Sequence, residues 1–304
     1  MEIVTESKVK LNWKIDFESW LRQSGRSENT LKAYRQDMSA FERFFERVNG
    51  ETFEPSLLTG VDLRGWRADC LAAGVAPATW NRRRATMALL SAWCQETGRV
   101  SYNPFQGVEP MEEVEQAPRW LTGLEFGKLL RTVERQVNAA RTAAAKRQAL
   151  RDQGLVCLMA FAGLREAEVC ALDLADVELT ERKGRVIVRR GKGDKRREVP
   201  LASEIRRALR AYLDLECQGP ALFQGKGGER LTERGLQKRI EALANQAGIS
   251  CTPHQLRHTF AKRTLDAGAT LNVVGQLLGH ARLDTTARYT RPGWADLENA
   301  VEGK

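Results

Sequence analysis

The chain has 304 residues and a mass of 34.1 kDa, enough for two domains of ordinary size. With 42% hydrophobic and 29% charged residues it can build a sizeable core, which excludes wholesale disorder. Its net charge of +9 and pI near 9.4 are unevenly spread: 15 basic against 17 acidic residues precede Pro118, and 33 against 22 follow, which points to a polyanionic partner.

Neither a membrane span nor secretion is expected. The longest nearly continuous apolar run, Leu155–Leu164, is about half of the ~18–20 residues that a span needs. Met1–Glu6 has no basic n-region and no apolar h-region. The six cysteines form no CxxC pair and read as reduced core thiols, which fits a cytoplasmic protein.

From about residue 14 to 105 the pattern is helix after helix. Phe17, Trp20 and Leu21 recur at helical spacing. Ser27 is placed to cap a longer helix with Leu31, Tyr34, Met38, Phe41, Phe44 and Phe45 on its buried face. Two more helices fit Val61–Ala73 and Pro77–Glu96, the second ended by Gly98. Residues 11–108 are therefore expected to form an all-helical bundle, and 109–118, rich in Glu and Pro, a linker.

A second domain over 119–304 opens with a helical pattern at Leu121–Val133 and an Ala/Lys/Arg-rich stretch, Asn138–Arg151, read as exposed helix. Sheet signal is confined to one region. Arg185–Arg190 and Arg196–Leu201 make a hairpin around Gly191-Lys192-Gly193-Asp194-Lys195, with Pro200 marking an edge strand and Asp176–Leu179 a third strand. Helical periodicity resumes after Leu201. The expected fold class is mostly α with a small antiparallel sheet: a helical N-terminal domain and a mixed α/β C-terminal one.

The chemistry-bearing residues lie in this second part. Arg165 and Glu168 stand three apart at a helix entry, so the carboxylate can fix the guanidinium; an ordinary surface ion pair has the same spacing. All three histidines fall between residues 254 and 280. His254 and Arg257 share a helical face. His254 and His258 have metal-ligand spacing, but Gln255 replaces the glutamate of HExxH and no third ligand is suggested, so no metal is expected. Gly279 ends a helix and leaves His280 on irregular backbone, and Asp284 opens a short helix that carries Tyr289 in its second turn.

Taken in order, the strings GLREAEVCALDLADV, GKGDKRREVPL, PHQLRHTFAKRTLDAG and LLGHARLDTTARYT resemble the tyrosine site-specific recombinase (phage integrase) family, most of all its short Xer-type members. The resemblance covers most of 121–290 and extends weakly over the helical half, where Ser27–Phe45 is similar to the family's SAM-like core-binding domain. It implies a catalytic set of Arg165, Lys192, His254, Arg257, His280 and Tyr289, supported by Glu168. Tyr289 would attack a DNA phosphodiester to give a 3′-phosphotyrosyl link. Arg165 and Arg257 would clamp the phosphate, and Lys192 would protonate the 5′-oxygen. His254 would be donor or base near Tyr289, and His280 a further phosphate donor. Two duplexes would be exchanged through a Holliday junction with no cofactor, metal or ATP.

Double-stranded DNA is the implied partner, held between the two domains. Arg82, Arg83 and Arg84 are candidates for groove or phosphate contact, with a solvated face as the other reading; Arg189, Arg190, Lys195, Arg196 and Arg197 are candidates for backbone contact beside the hairpin. The tail, 292–304, carries Trp294, Leu297 and Val301 on one stripe, which would dock on a neighbour in a homotetramer on paired sites, or pack in cis. The rival functions are a type IB topoisomerase-like relaxing enzyme and a non-catalytic DNA-binding regulator.

Overall fold

The computed structural model describes residues 12–26, 28–113, 118–189, 196–215, 219–279, 284–287, 289 and 301–302. Ser27, Arg190, Lys192, Lys195, His280 and the stripe residues Trp294 and Leu297 lie outside the described residues. Two compact units are present, Met1–Glu115 and Gln116–Lys304. The described fold is mostly helical with one three-stranded antiparallel sheet, the class expected from the sequence.

Among the described residues, the first unit contains four α-helices, α1 (Asn12–Gln23), α2 (Glu28–Asn49), α3 (Gly60–Ala72) and α4 (Pro77–Glu96). Thr59 caps α3: its hydroxyl accepts from the Asp62 amide, while its own amide donates to the Asp62 carboxylate, so two orphan donors are satisfied together. Apolar spacing on α2 delivers Leu31, Met38, Phe41, Phe44 and Phe45 to one buried face. Phe41 is central there, with the rings of Phe53 and Trp66 each 5.1 Å away in edge-on contact. Val108 and Met111 are buried in this same core, and Asn81 of α4 holds both the amide and the carbonyl of Met111. The start of the acidic segment is thus docked on the first unit, because two apolar side chains and a side-chain amide tie it down.

Each arginine of the α4 run is engaged by groups of its own unit, and Arg83 and Arg84 turn inward. Arg82 donates to the buried Asp37 carboxylate at 2.6 Å, which Thr86 shares at 2.9 Å. Arg83 lies over the Trp66 ring, and its guanidinium reaches the Cys70 sulfur. Arg84 covers Phe105 and donates to the Val108 carbonyl. Arg83 and Arg84 are half-buried and engaged within their own unit; of this run only Arg82 keeps an exposed side chain. Their aliphatic stems and planar guanidiniums suit the aromatic surface better than water.

The second unit is organised around one buried helix. α5 (Gly123–Ala139) is followed by α6 (Ala143–Ala162), capped by Thr142. From Ala143 the exposed stretch and the apolar run, which the sequence divided near Arg151, join in one continuous helix, since Ala, Lys, Arg and Leu are good helix formers and the buried Gly154 does not interrupt it before Gly163. Its C-terminal half, from Leu155 onward, is buried on nearly every side against α5, against α8 (Ser203–Leu213) and against α10 (Pro253–Asp266). Within α6 the wholly buried Asp152 is paired with Arg151 at 2.8 Å and Arg239 at 2.6 Å.

After α6 come the short α7 (Glu166–Ala171) and strands β1 (Val177–Leu179), β2 (Gly184–Val188) and β3 (Arg197–Pro200), in the order β1-β2-β3. Val186 pairs with Val177 on one side and Val199 on the other, and Pro200 sits on an edge strand. α9 (Glu233–Gln246), α10, α11 (Leu271–Leu278) and the single turn α12 (Asp284–Ala287) follow among the described residues.

Gly163, at the end of α6, has φ +64°, and a Cβ there would run into the Phe260 ring and Leu278. Gly163→Ala combines a left-handed backbone with overpacking. It should lower the stability of the second unit by about 2–5 kcal/mol, read from its calorimetric transition; a shift below ~1 kcal/mol would show that the turn relaxes without strain.

Candidate active site

Three helix ends meet where the sequence-predicted residues gather. α6 ends at Gly163, α7 begins after Arg165, and α11 ends at Leu278 with Gly279 in a left-handed conformation. Arg257 comes from the first turns of α10, between these ends. Its guanidinium donates to the Gly163 carbonyl at 2.6 Å and to the Leu278 carbonyl at 2.7 Å. Both acceptors are helix-terminal carbonyls that lack a partner in their own helix, and they carry the negative end of the helix dipole. A buried guanidinium is the natural counterpart.

Glu168 is the centre of the arrangement. It is only 5% exposed, and each of its oxygens accepts two hydrogen bonds. Oε1 receives Nη1 of Arg165 and Nη1 of Arg197, both at 2.8 Å; Oε2 receives the Arg165 amide at 2.8 Å and Nη2 of Arg197 at 2.7 Å. A third guanidinium, that of Arg257, lies 3.9 Å from Oε2. Arg165 also reaches the Gly279 carbonyl at 3.3 Å. Burial alone would raise the Glu168 pKa, but the bonds and charge of Arg197, then those of Arg165, outweigh it and hold the carboxyl below its ordinary value. Burial, reinforced by the Arg165 charge, pulls the Arg257 pKa downward, with Glu168 opposing. Three guanidiniums around one carboxylate leave a net positive pocket suited to a phosphate.

Tyr289 follows α12 and is 3% exposed, packed with Phe260, Ala261, Val274 and Leu278. Its hydroxyl lies 2.6 Å from Nδ1 of His258, and the rings are tilted at 5.2 Å. His258 is also buried and meets the ring of the exposed His254 edge-on at 4.1 Å. Phenol and Arg257 are close enough to interact electrostatically.

Arg165, Glu168 and Arg257 thus come together, with Tyr289 near Arg257; His254 stands one helical turn before His258, toward solvent. His258 was weighed in the sequence only as a metal ligand, yet it is the histidine that touches the phenol. Nothing in the local spacing separates it from His254, because the choice depends on where α12 returns. Arg197 was expected to meet the DNA backbone beside the hairpin. It is instead turned inward onto Glu168, and a signal for this existed: in β3 it shares a face with the buried Val199, two residues on. Of the other basic candidates, Arg189 pairs with Asp173 and Asp176, and Arg196 with Glu198, both on exposed surface.

A buried phenol against a histidine, beside arginines converging on one carboxylate, defines the tyrosine recombinase class. Comparison with known families agrees in both halves. The phage integrase family model matches residues 121–293, the phage integrase N-terminal SAM-like domain matches 16–97, and the chain belongs to the phage integrase family. It is a DNA breaking and rejoining enzyme of the tyrosine recombinase kind. A tyrosine recombinase XerC from Chromohalobacter salexigens is 33% identical over 283 residues, covering 91% of this chain and 90% of that protein. A tyrosine recombinase XerD from Listeria monocytogenes is 30% identical over 278 residues, covering 88% and 89%. Among solved structures, XerH site-specific recombinase in a post-cleavage complex with a palindromic difH substrate has a similar fold, with TM-score 0.71, 24% identity, and 90% and 79% of the two chains covered. A lambda integrase dimer bound to a COC′ core site gives 0.72 at 16% identity, covering 93% and 78%.

Glu168→Gln would leave three buried or half-buried guanidiniums around a neutral amide, and should destabilise the second unit by about 3–5 kcal/mol. The Glu168 pKa is depressed in the folded state, so its contribution is complete above the ordinary value of 4.5 and declines as pH falls through the lower folded value. Unfolding measured from pH 7 to 3 should show this acid loss in the wild type and its absence in the variant. Parallel curves would remove Glu168 as the group responsible.

Proposed function

We propose that this chain is a site-specific recombinase whose nucleophile is Tyr289 and whose phosphate clamp is Arg165 with Arg257. The observation that carries the reading is the 2.6 Å contact between the Tyr289 hydroxyl and His258, set beside the arginines that surround Glu168.

The chemistry follows from these groups. As Tyr289 Oη attacks phosphorus, its proton passes to Nδ1 of His258, which begins as the neutral tautomer protonated on Nε2 and becomes the imidazolium. The guanidiniums of Arg165 and Arg257 meet the non-bridging oxygens, whose charge grows in the transition state. The bond from phosphorus to the 5′-oxygen breaks, leaving a 3′-phosphotyrosyl enzyme and a free 5′-hydroxyl. Lys192 is assigned the proton given to that oxygen and His280 a further hydrogen bond to the phosphate. His254, exposed in the first turn of α10, is assigned phosphate contact in place of the role of base. The bond energy stays in the covalent link, so rejoining needs no nucleotide. Repetition on a second duplex, through a Holliday junction, exchanges the strands.

The full assembly in this reading is four protomers on paired DNA sites, joined through 294–301, acting on nucleoid DNA in the cytoplasm and serving a mobile element. Arg82, Arg189, Arg190, Lys195 and Arg196 are the residues assigned to the DNA backbone. Near full-length similarity to XerC and XerD recombinases favours this over a relaxing enzyme or a regulator.

The direct test is recovery of DNA covalently linked to the protein after denaturation, from genomic DNA of the encoding strain, followed by sequencing of the ends. On the site so found, Tyr289→Phe should abolish the covalent complex on a nicked suicide substrate. DNA affinity and its salt dependence should persist, because the phosphate contacts come from Arg and Lys. A covalent band with the Phe variant would move the nucleophile elsewhere.

His258→Gln should slow single-turnover cleavage by about 10²–10⁴-fold, the usual share of a general base. His254→Gln should cost less. The reverse order would return the base role to His254.

A further inference from the structure

Arg197 is the side chain that the proposed chemistry leaves without a task, and it is among the most constrained in the molecule. It opens β3, opposite Val188 of β2, yet its guanidinium leaves the sheet and reaches α7 and α11. Both Nη atoms meet the two oxygens of Glu168 as a planar fork, and Nε donates to the Leu277 carbonyl at 3.2 Å. Its side chain is 12% exposed, against 53% for Arg189 and 62% for Arg196. It also lies directly on Gly279, where a Cβ would come within 2.9 Å of Nη1. The absence of a side chain at 279 is what lets the guanidinium seat there.

We propose that Arg197 is a positioning residue: by holding Glu168 in both oxygens and the end of α11 through Leu277 and Gly279, it sets the orientation of Arg165 toward the phosphate. The reasoning is geometric. Glu168 can steer Arg165 only if its own carboxylate plane is fixed, and a bidentate Arg–carboxylate pair fixes that plane as a single donor cannot. With Arg197 in place, each Glu168 oxygen carries one bond from Arg165 and one from Arg197. Remove the fork and the carboxylate keeps only its two bonds to Arg165 itself, so no group outside that residue fixes its plane and Nη1 of Arg165 can shift together with it. Misplacement of a catalytic group by about 1 Å costs on the order of 100-fold in rate. Arg197 acts through Arg165, without touching DNA.

This inference rests on the recombinase reading, and the wild-type covalent complex is the control that separates the two: if the wild type forms none on its own site, that reading fails first. Given that complex, Arg197→Met should cleave the suicide substrate on the order of 100-fold more slowly. Its affinity for the uncleaved duplex and the slope of affinity against salt should match the wild type. Arg197→Lys, which keeps the charge but not the fork, should fall between the two. In an Arg165→Ala background, adding Arg197→Met should change the rate by less than about threefold, since the group it positions is gone. Circular dichroism and calorimetry establish that each variant is folded; if the Met variant is not, the Lys variant and its Arg165→Ala double carry the same comparison. Three results would overturn the proposal. A salt slope reduced by about one with a matching loss of affinity would make Arg197 a phosphate contact. Wild-type cleavage by either variant would make the fork dispensable. Fully additive losses with Arg165→Ala would make its effect independent of the clamp.

Discussion

The second unit depends on one buried carboxylate. Glu168 stands where α7 begins, and its charge is what permits the guanidiniums of Arg165, Arg197 and Arg257 to occupy one small volume. Without it, three like charges within a few ångströms would repel one another in surroundings too dry to screen them. With it, they form a rigid cluster that still carries excess positive charge. A phosphate entering such a pocket meets donors already aimed, at little reorganisation cost. The same carboxylate accepts the Arg165 amide at the start of α7, so local helix capping and the electrostatics of the pocket are one interaction.

The second constraint is the use of helix ends. α6 and α11 both terminate in glycines with positive φ, and their last carbonyls converge on Arg257. This accounts for a buried arginine in a largely apolar unit. It also links the central helix α6, whose position is determined by core packing, to the segment that leads toward Tyr289. The pocket is therefore rigid because its supports are the termini of helices that the core already holds. Tyr289 rests against Phe260 and Leu278, on the same helices, so nucleophile and clamp share a scaffold.

The first unit treats arginine differently. Arg83 and Arg84 cover aromatic rings and satisfy a thiol and a carbonyl, while Arg82 answers the buried Asp37. A contiguous basic triplet therefore need not be a binding face. Successive helical positions point about 100° apart, so three neighbouring arginines address three separate surroundings.

Much of this was legible in the residue order alone. The aromatic stripe of α2, the glycine stops, the hairpin with its edge proline and the spacing of Arg165, Glu168 and Arg257 all follow from local periodicity and turn chemistry, which act over a few residues. The family resemblance rested on those same short strings. What the sequence left open were choices between chemically equal neighbours. His254 and His258 have the same spacing relative to their helix, and only the return of α12 selects His258 for the phenol. Arg196 and Arg197 are adjacent and equally basic; strand alternation separates their faces, but only the packing of β3 near α7 and α11 brings Glu168 to Arg197. The docking of Met111 and the unbroken course of α6 were likewise decided by the surfaces available to them. Local sequence determines which element forms and which face is apolar; which of two like side chains meets a distant partner is decided by long-range packing, because that partner is brought near only when the core closes.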